Sequence, residues 1–107
     1  MLINKELHAI VEAIKSAVTV EQIYLFGSHA NNTSSKDSDY DIFILLPENG
    51  IKPYDAIRDA RFSLISLNRE TSVDIIADYK NRFLKRSKLN TLERIVANEG
   101  IILYERV

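Results

Sequence analysis

The longest apolar run of this 107-residue chain follows directly after two closely spaced aspartates. This change from charged to apolar residues constrains the fold more than any other feature. Residues 42–46 read Ile-Phe-Ile-Leu-Leu and precede a proline and an Asn-Gly turn signal, a pattern that predicts a strand. Asp39 and Asp41 flank Tyr40 at the entrance of this strand. An ionised carboxylate is costly in apolar surroundings unless it is paired or bound to a metal ion, so the strand has to begin at a polar site.

Helical and extended patterns alternate along the rest of the chain. Segment 4–17 places its apolar residues on one helical face, and Asn4 is its predicted N-cap. Strands are predicted at 22–26, 40–46, 73–77 and 101–104, and helices at 54–67, 82–88 and 91–98, the last closed by Gly100. The residues expected to face inward are Ile57, Ala60, Leu64 and Ile65 on one helix and Leu92, Ile95 and Val96 on another. This order predicts an α/β or α+β fold with a sheet of about four strands covered by helices.

Length and charge exclude several classes of protein. We expect residues 1–107 to form a single domain, since domains typically run about 100–150 residues. Lysine and arginine number 14 and aspartate and glutamate 15, so the net charge of −1 provides no bulk basic field for binding nucleic acid. Cysteine is absent, which excludes disulfides, thiol nucleophiles and Cys-ligated zinc. The apolar runs are far shorter than the roughly 20 residues of a membrane span, and the first residues lack a signal-peptide layout, so we expect a cytoplasmic protein.

Three aspartates are the candidate metal ligands. Strand side chains alternate, so Asp39 and Asp41 point to the same side with their Cα atoms about 6–7 Å apart, a span that suits a pair of metal ions. Asp74 faces the same site if strand 73–77 lies beside strand 40–46. Three carboxylates this close would repel one another, so the arrangement favours divalent cations such as Mg²⁺ or Mn²⁺. The alternative is that Asp39 and Asp41 only cap a loop and Asp74 faces solvent at a sheet edge.

A glycine-serine turn supplies a candidate phosphate site. Gly27 and Ser28 directly follow a predicted strand and precede a predicted short helix, so backbone N–H groups and a hydroxyl are available to an anion. Glycine also permits the close backbone approach that a side chain would block. Ten residues separate Ser28 from Asp39. A phosphate-binding turn and a metal-binding carboxylate pair are together the two halves of a nucleoside-triphosphate transfer site.

The motif Gly-Ser, ten residues, Asp-x-Asp, with Val73-Asp-Ile downstream, resembles the minimal nucleotidyltransferase (MNT) group of the polymerase-beta-like superfamily. Residues 93–104 are also similar to these small proteins, so the resemblance covers nearly the whole chain. It implies a mixed sheet and a single MNT domain. Gly27 and Ser28 would bind the triphosphate of ATP. The resemblance further implies that the catalytic residues and metal ligands are Asp39, Asp41 and Asp74, with two Mg²⁺ ions, or Mn²⁺ in their place.

The resemblance also implies a function and a partner. Stand-alone proteins of this group are similar to the antitoxin half of toxin–antitoxin pairs whose toxin is a HEPN-domain ribonuclease. The implied reaction transfers AMP from ATP to a tyrosine hydroxyl of that toxin within a hetero-oligomer. A non-catalytic antitoxin that only masks its partner stays open, because Asn31-Asn32 stands where the family commonly carries Arg-Gly. A small-molecule nucleotidyltransferase is the third alternative, although such enzymes usually carry an added helical domain. We expect neither nucleic acid nor membrane as a partner.

The remaining polar residues give weaker signals. His29 is interpreted as a variable spacer rather than a phosphate contact, and Tyr40 as a core residue that points away from the aspartates. The basic residues of segment 80–88 predict a solvated helix face, with contact to an acidic partner or a nucleotide as the alternative. They are Lys80, Arg82, Lys85, Arg86 and Lys88.

Overall fold

The computed structural model of the chain describes residues 4–35 and 38–106. The helices are α1 Lys5–Ala17, α2 Pro53–Leu64, α3 Lys80–Arg86 and α4 Leu92–Glu99, and the strands are β1 Gln22–Phe26, β2 Tyr40–Leu46, β3 Val73–Tyr79 and β4 Ile101–Glu105. The ends of the domain predicted over 1–107, and residues 36 and 37 between Ser28 and Asp39, lie outside the described residues.

The strands of this described part form one mixed sheet in the order β3-β2-β1-β4. Strand β2 pairs with β3 in parallel, and β1 pairs antiparallel with both β2 and β4. The connection from β2 to β3 passes through α2, as a parallel pair requires. The predicted α/β fold class, a four-stranded mixed sheet flanked by helices, is confirmed.

Alternation along β2 divides the molecule into two layers of side chains. One side of the strand, which includes Tyr40 and Ile42, lies in the main core with buried residues of α1 and α2. The other side places Phe43 and Leu45 in a smaller core with Phe83 of α3 and Val96 of α4. Tyr40 is only 4% exposed, so its predicted place in the core is confirmed. Asp41 has the parity of Phe43 and therefore faces the α3–α4 side.

Local capping explains where two helices begin and end. The side chain of Asn4 accepts a hydrogen bond from the Leu7 N–H at 2.7 Å, which confirms the predicted N-cap of α1. The side chain of Thr91 caps α4 in the same way by accepting from the Arg94 N–H. At the other end of α4 the Gly100 N–H donates to Val96 O at 2.8 Å, so the predicted C-cap is confirmed.

The end of α2 was predicted wrongly. The helix ends at Leu64, three residues before the predicted end, because the N–H groups of Ile65 and Leu67 donate to the carbonyls three residues back and tighten the chain. This tightening turns Ile65 outward, and its side chain is 74% exposed instead of facing inward. In α4 the prediction holds only for Val96, since Leu92 and Ile95 are exposed on the outer side of this short helix.

The boundary between β3 and α3 also differs from the prediction. Strand β3 continues two residues beyond the predicted end, and α3 begins at Lys80 instead of residue 82. The basic face of α3 is partly engaged within the chain, since Arg82 Nε lies 3.2 Å from Asp78 Oδ2 and Arg86 Nε contacts Glu93 Oε2.

No helix formed by the described residues is long and apolar enough to cross a membrane.

A carboxylate of α1 fastens the segment that leads into β3. Glu6 Oε2 accepts a hydrogen bond from the Glu70 N–H at 2.8 Å. Hydrogen bonds from the Thr71 side chain and from backbone N–H groups hold the pKa of Glu6 below its usual value. The contact joins residues 64 positions apart, so it fixes the entry to β3 against α1.

We predict that Glu6→Gln lowers stability in a pH-dependent way. A folded pKa below the unfolded value of about 4.3 gives stability that is present above pH 4.3 and lost as the pH falls through the folded pKa. At pH 7 the loss is at most about 1 kcal/mol, because solvent screens an exposed carboxylate. Urea unfolding of both proteins between pH 3 and pH 7 measures the difference, and a difference independent of pH would contradict the prediction.

Candidate active site

The parallel pairing of β2 and β3 places two of the predicted aspartates side by side. Asp41 and Asp74 are partners in the strand register, so both side chains project from the same face of the sheet. Neighbouring strands lie about 4.8 Å apart, which leaves the two carboxylates as immediate neighbours. Asp74 lies on an edge strand and is exposed, whereas Asp41 on the inner strand is half-buried. The expectation that strand 73–77 lies beside strand 40–46 is therefore confirmed.

Asp39 stands one residue before β2 and is exposed. The pKa of Asp41 is raised above its usual value, first by burial and then by the negative charges of Asp74 and Asp39. The charge of Asp39 therefore acts on Asp41. The imidazole of His29 opposes this shift. The structure thus brings all three predicted aspartates into one electrostatic cluster at the start of β2.

Gly27 packs its backbone directly against this cluster. Its φ of +74° lies in the left-handed region that favours glycine. A Cβ built at this position would overlap Asp41 Oδ2 and lie 3.2 Å from Asp41 Cγ. Both the backbone conformation and the close approach therefore require glycine, and the turn that follows is held against the carboxylate of Asp41.

The segment after Gly27 forms hydrogen-bonded turns instead of the predicted short helix. The N–H groups of Ala30 and Asn31 donate to Gly27 O at 3.1 and 3.2 Å, and the Thr33 N–H donates to Ser28 O at 3.0 Å. Asn32 then adopts a φ of 63°, a left-handed conformation that ends any helix after one turn. Ser28 is half-buried within these turns and adjoins the Gly27–Asp41 contact.

The chemistry of the three aspartates fits a hard divalent cation. Within residues 4–35 and 38–106, no three acidic or histidine side chains form a group already arranged to hold a metal ion. Yet the donors are carboxylate oxygens, and the raised pKa of Asp41 reflects its burial first and then repulsion from Asp74 and Asp39. A cation bound among them would offset that repulsion. The assignment of Asp39, Asp41 and Asp74 as metal ligands, and of Gly27 and Ser28 as nucleotide-binding residues, stays a prediction.

His29, interpreted from the sequence as a variable spacer, makes two contacts across the loop. The structure places its Nε2 atom 3.0 Å from Ser38 O and its ring 4.5 Å from that of Tyr40. Both contacts cross the loop and join residues nine and eleven positions apart, so no local sequence periodicity predicts them. The only usable signal was the parity of Tyr40, which turns its ring toward the core face.

Comparisons with known proteins identify the family of this chain. The sequence profile of the family "Polymerase beta, Nucleotidyltransferase" matches residues 8–107. A search of curated proteins by sequence gives no significant match. The chain therefore belongs to the polymerase beta nucleotidyltransferase family, since the profile covers nearly all of it.

Solved structures share the fold at low sequence identity. A protein of Sulfolobus solfataricus assigned as a nucleotidyltransferase aligns with a TM-score of 0.61 and 20% identity over 91% of this chain and 75% of its own. A toxin–antitoxin structure with AMP-PNP aligns with a TM-score of 0.56 and 17% identity over 96% of this chain and 75% of its own. A mutant of the toxin–antitoxin MntA-HpeT, with two aspartate-to-glutamate changes, aligns with a TM-score of 0.59 and 17% identity over 92% of this chain and 73% of its own.

We predict that Asp41→Asn raises the melting temperature at pH 7 by a few degrees. A folded pKa above the unfolded value of about 3.9 means that the carboxyl of Asp41 favours folding only while it is protonated. This contribution is lost as the pH rises through the folded pKa, and the ionised group then destabilises the fold. Calorimetry at pH 7 and pH 4 should show a gain that shrinks at the lower pH.

Mn²⁺ provides the control for this prediction. It should raise the melting temperature of the wild-type protein and narrow the gap to Asp41→Asn, because a cation removes the same repulsion as the amide does. A lower melting temperature of Asp41→Asn without metal would show that the carboxylate contributes favourable contacts instead.

Proposed function

We propose that the protein transfers AMP from ATP to a tyrosine hydroxyl of a HEPN-domain ribonuclease toxin and so acts as its antitoxin. The observation that carries the proposal is the in-register pair Asp41 and Asp74, with the Gly27 turn packed on Asp41. Membership of the nucleotidyltransferase family supports the reaction type. Two of the similar structures are toxin–antitoxin proteins, one of them with the ATP analogue AMP-PNP, and they support the biological role.

The residues divide the work of the transfer between them. Asp39, Asp41 and Asp74 would hold two Mg²⁺ ions, or Mn²⁺, which when bound assist ionisation of the hydroxyl and stabilise the pyrophosphate leaving group. The backbone N–H groups of the turn at Gly27 and Ser28 would bind and orient the triphosphate. The tyrosine oxygen forms a bond to the α-phosphorus while the bond from that phosphorus to the bridging oxygen breaks. A carboxylate oxygen of Asp74 takes the hydroxyl proton, and pyrophosphate leaves.

The position of Asp74 suits a protein as the acceptor. It is exposed on an edge strand, and Ile76, two residues along on the same face, is also 37% exposed. This part of the sheet face is open to an incoming group. We therefore propose that the acceptor brings its own binding surface.

A second candidate function, an antitoxin that masks its partner by contact alone, is favoured by the outer face of α2. Tyr54 and Phe62 on this face and Ile65 just after the helix are 74–80% exposed, and these three side chains line a groove of about 430 Å³. Such a patch suits a protein interface. Helix α2 covers the sheet face opposite Asp41 and Asp74, so a partner seated there would not touch the carboxylates of the same copy.

We predict that the protein labels its HEPN-domain partner when both are incubated with Mg²⁺ and ATP labelled on the α-phosphate. Asp74→Asn should slow labelling by about 10²–10⁴-fold, the usual contribution of a group that accepts a proton in the reaction. Glu48→Gln is the matched control, because Glu48 is an exposed carboxylate just past the other end of β2. Its rate should equal that of the wild type.

The same assay separates the three functions. Absence of label on the partner with the wild-type protein contradicts the transfer reaction. Full neutralisation of the toxin by the double variant Asp39→Asn, Asp41→Asn would show that masking suffices. Label on a small acceptor in the absence of any protein partner would indicate a small-molecule nucleotidyltransferase.

A further inference from the structure

Asp39 lies between two peptide units that are both held from outside its own segment. On one side the carbonyl of Ser38 accepts a hydrogen bond from His29 Nε2 at 3.0 Å. On the other side the N–H of Tyr40 donates to the carbonyl of Ser72 at 2.9 Å. Because peptide units are planar, fixing the two planes that flank Asp39 fixes its φ and ψ, and with them the direction of its Cα–Cβ bond.

The imidazole that holds the first of these planes is itself fixed. Its ring centroid lies 4.5 Å from that of Tyr40, with the ring planes inclined at 47°. Tyr40 is only 4% exposed, and its hydroxyl accepts a hydrogen bond from Asn4 Nδ2 at 3.0 Å. The ring of His29 therefore packs on a buried, anchored surface, which limits the freedom of its Nε2 donor.

The same hydrogen bond joins the two halves of the loop that separates Gly27 from Asp39. The first half is closed by bonds to the carbonyls of Gly27 and Ser28, all within residues 27–33. The second half is closed locally, since the Ser35 N–H donates to Ser38 Oγ at 2.9 Å and the Ser38 N–H donates to Ser35 O at 3.1 Å. Among the described residues, the bond from His29 to Ser38 links one half to the other.

We propose that His29 is a positioning residue that sets the carboxylate of Asp39 relative to Ser28 and Asp41. The inference rests on the proposed function, in which Asp39 is a metal ligand. His29 acts through the Ser38–Asp39 peptide plane, so its contribution depends on the Nε2–H donor more than on the ring. Loss of this donor frees the Ser38–Asp39 peptide plane, so the carboxylate of Asp39 is held less firmly and cation binding at the cluster weakens without the removal of any ligand.

Two substitutions separate the donor from the ring. His29→Phe keeps an aromatic ring on Tyr40 and removes the donor, whereas His29→Gln places an amide N–H at a similar reach and removes the ring. We expect His29→Phe to raise the Mn²⁺ concentration for half-maximal transfer about tenfold, the effect of one lost hydrogen bond. The KM for ATP at saturating Mn²⁺ should change less than twofold, and His29→Gln should stay within twofold of the wild type in both quantities.

Electron paramagnetic resonance of Mn²⁺ in the presence of AMP-PNP measures cation binding without turnover. It should show the same tenfold weakening in His29→Phe and recovery in His29→Gln. Equal Mn²⁺ affinity of His29→Phe and wild type overturns the role of His29, and so does a His29→Gln variant as weak as His29→Phe. If the wild type neither binds Mn²⁺ nor transfers AMP, the proposed function fails and the role of His29 fails with it.

A measurement on the wild-type protein does not depend on how the variants fold. A carbonyl oxygen only accepts, so His29 has to carry its proton on Nε2 to bond with Ser38. Long-range ¹H–¹⁵N spectra of the neutral imidazole should therefore show the Nε2–H tautomer. Observation of the Nδ1–H tautomer would overturn the inference, whatever the activity of the variants.

Discussion

The parallel pairing of β2 with β3 determines where the aspartates and the two cores lie. It sets Asp41 beside Asp74, an arrangement that the charges themselves oppose. The burial of the residues that follow Asp41 outweighs this electrostatic cost, since residues 42–46 are at most 2% exposed on both faces of the strand. Each such side chain contributes about 1.5–3 kcal/mol of burial, against about 1 kcal/mol for two unit charges 4 Å apart in water. Apolar packing decides the register, and the aspartates are carried into proximity by it.

This register also assigns different tasks to the two faces of the sheet. The face that carries Tyr40 and Ile42 is covered by α1 and α2 and forms the main core. The face that carries Asp41 and Asp74 is covered by α3 and α4 only over Phe43 and Leu45, so the aspartates remain accessible. Gly27 closes the site from the side of β1, because its missing Cβ leaves room for the carboxylate of Asp41. Asp41 is thus half-buried beside the packed residues of β2, whereas Asp39 and Asp74 are exposed.

Much of this arrangement could be predicted from local patterns. The strand at 40–46 follows from its run of apolar and β-branched residues, and the cap at Asn4 follows from its side-chain chemistry. Which strands are neighbours depends on residues far apart in the sequence. The prediction that Asp74 faces the same site therefore depended on strand 73–77 lying beside strand 40–46. The end of α2 was missed because Ile65 continues the apolar stripe even though the backbone tightens there.

The loop was the hardest part to predict for the same physical reason. Its contacts are made by side chains to distant carbonyls, as in the bond from His29 to Ser38, and sequence periodicity carries no record of such pairs. The turn after Gly27 depends on the positive φ of Asn32, which asparagine tolerates but does not enforce. The role of the three aspartates as metal ligands is a prediction from donor chemistry, and the structure supports it by proximity.

We propose that the three aspartates at the start of β2 and β3 form one cation site facing the Gly27 turn. Crystals grown with Mn²⁺ and AMP-PNP test it directly, because manganese can be located by its anomalous scattering. We expect anomalous peaks bonded to carboxylate oxygens of Asp39, Asp41 and Asp74, with the triphosphate against the backbone of Gly27 and Ser28. Manganese bound elsewhere, or a triphosphate distant from that turn, would contradict the assignment of these residues.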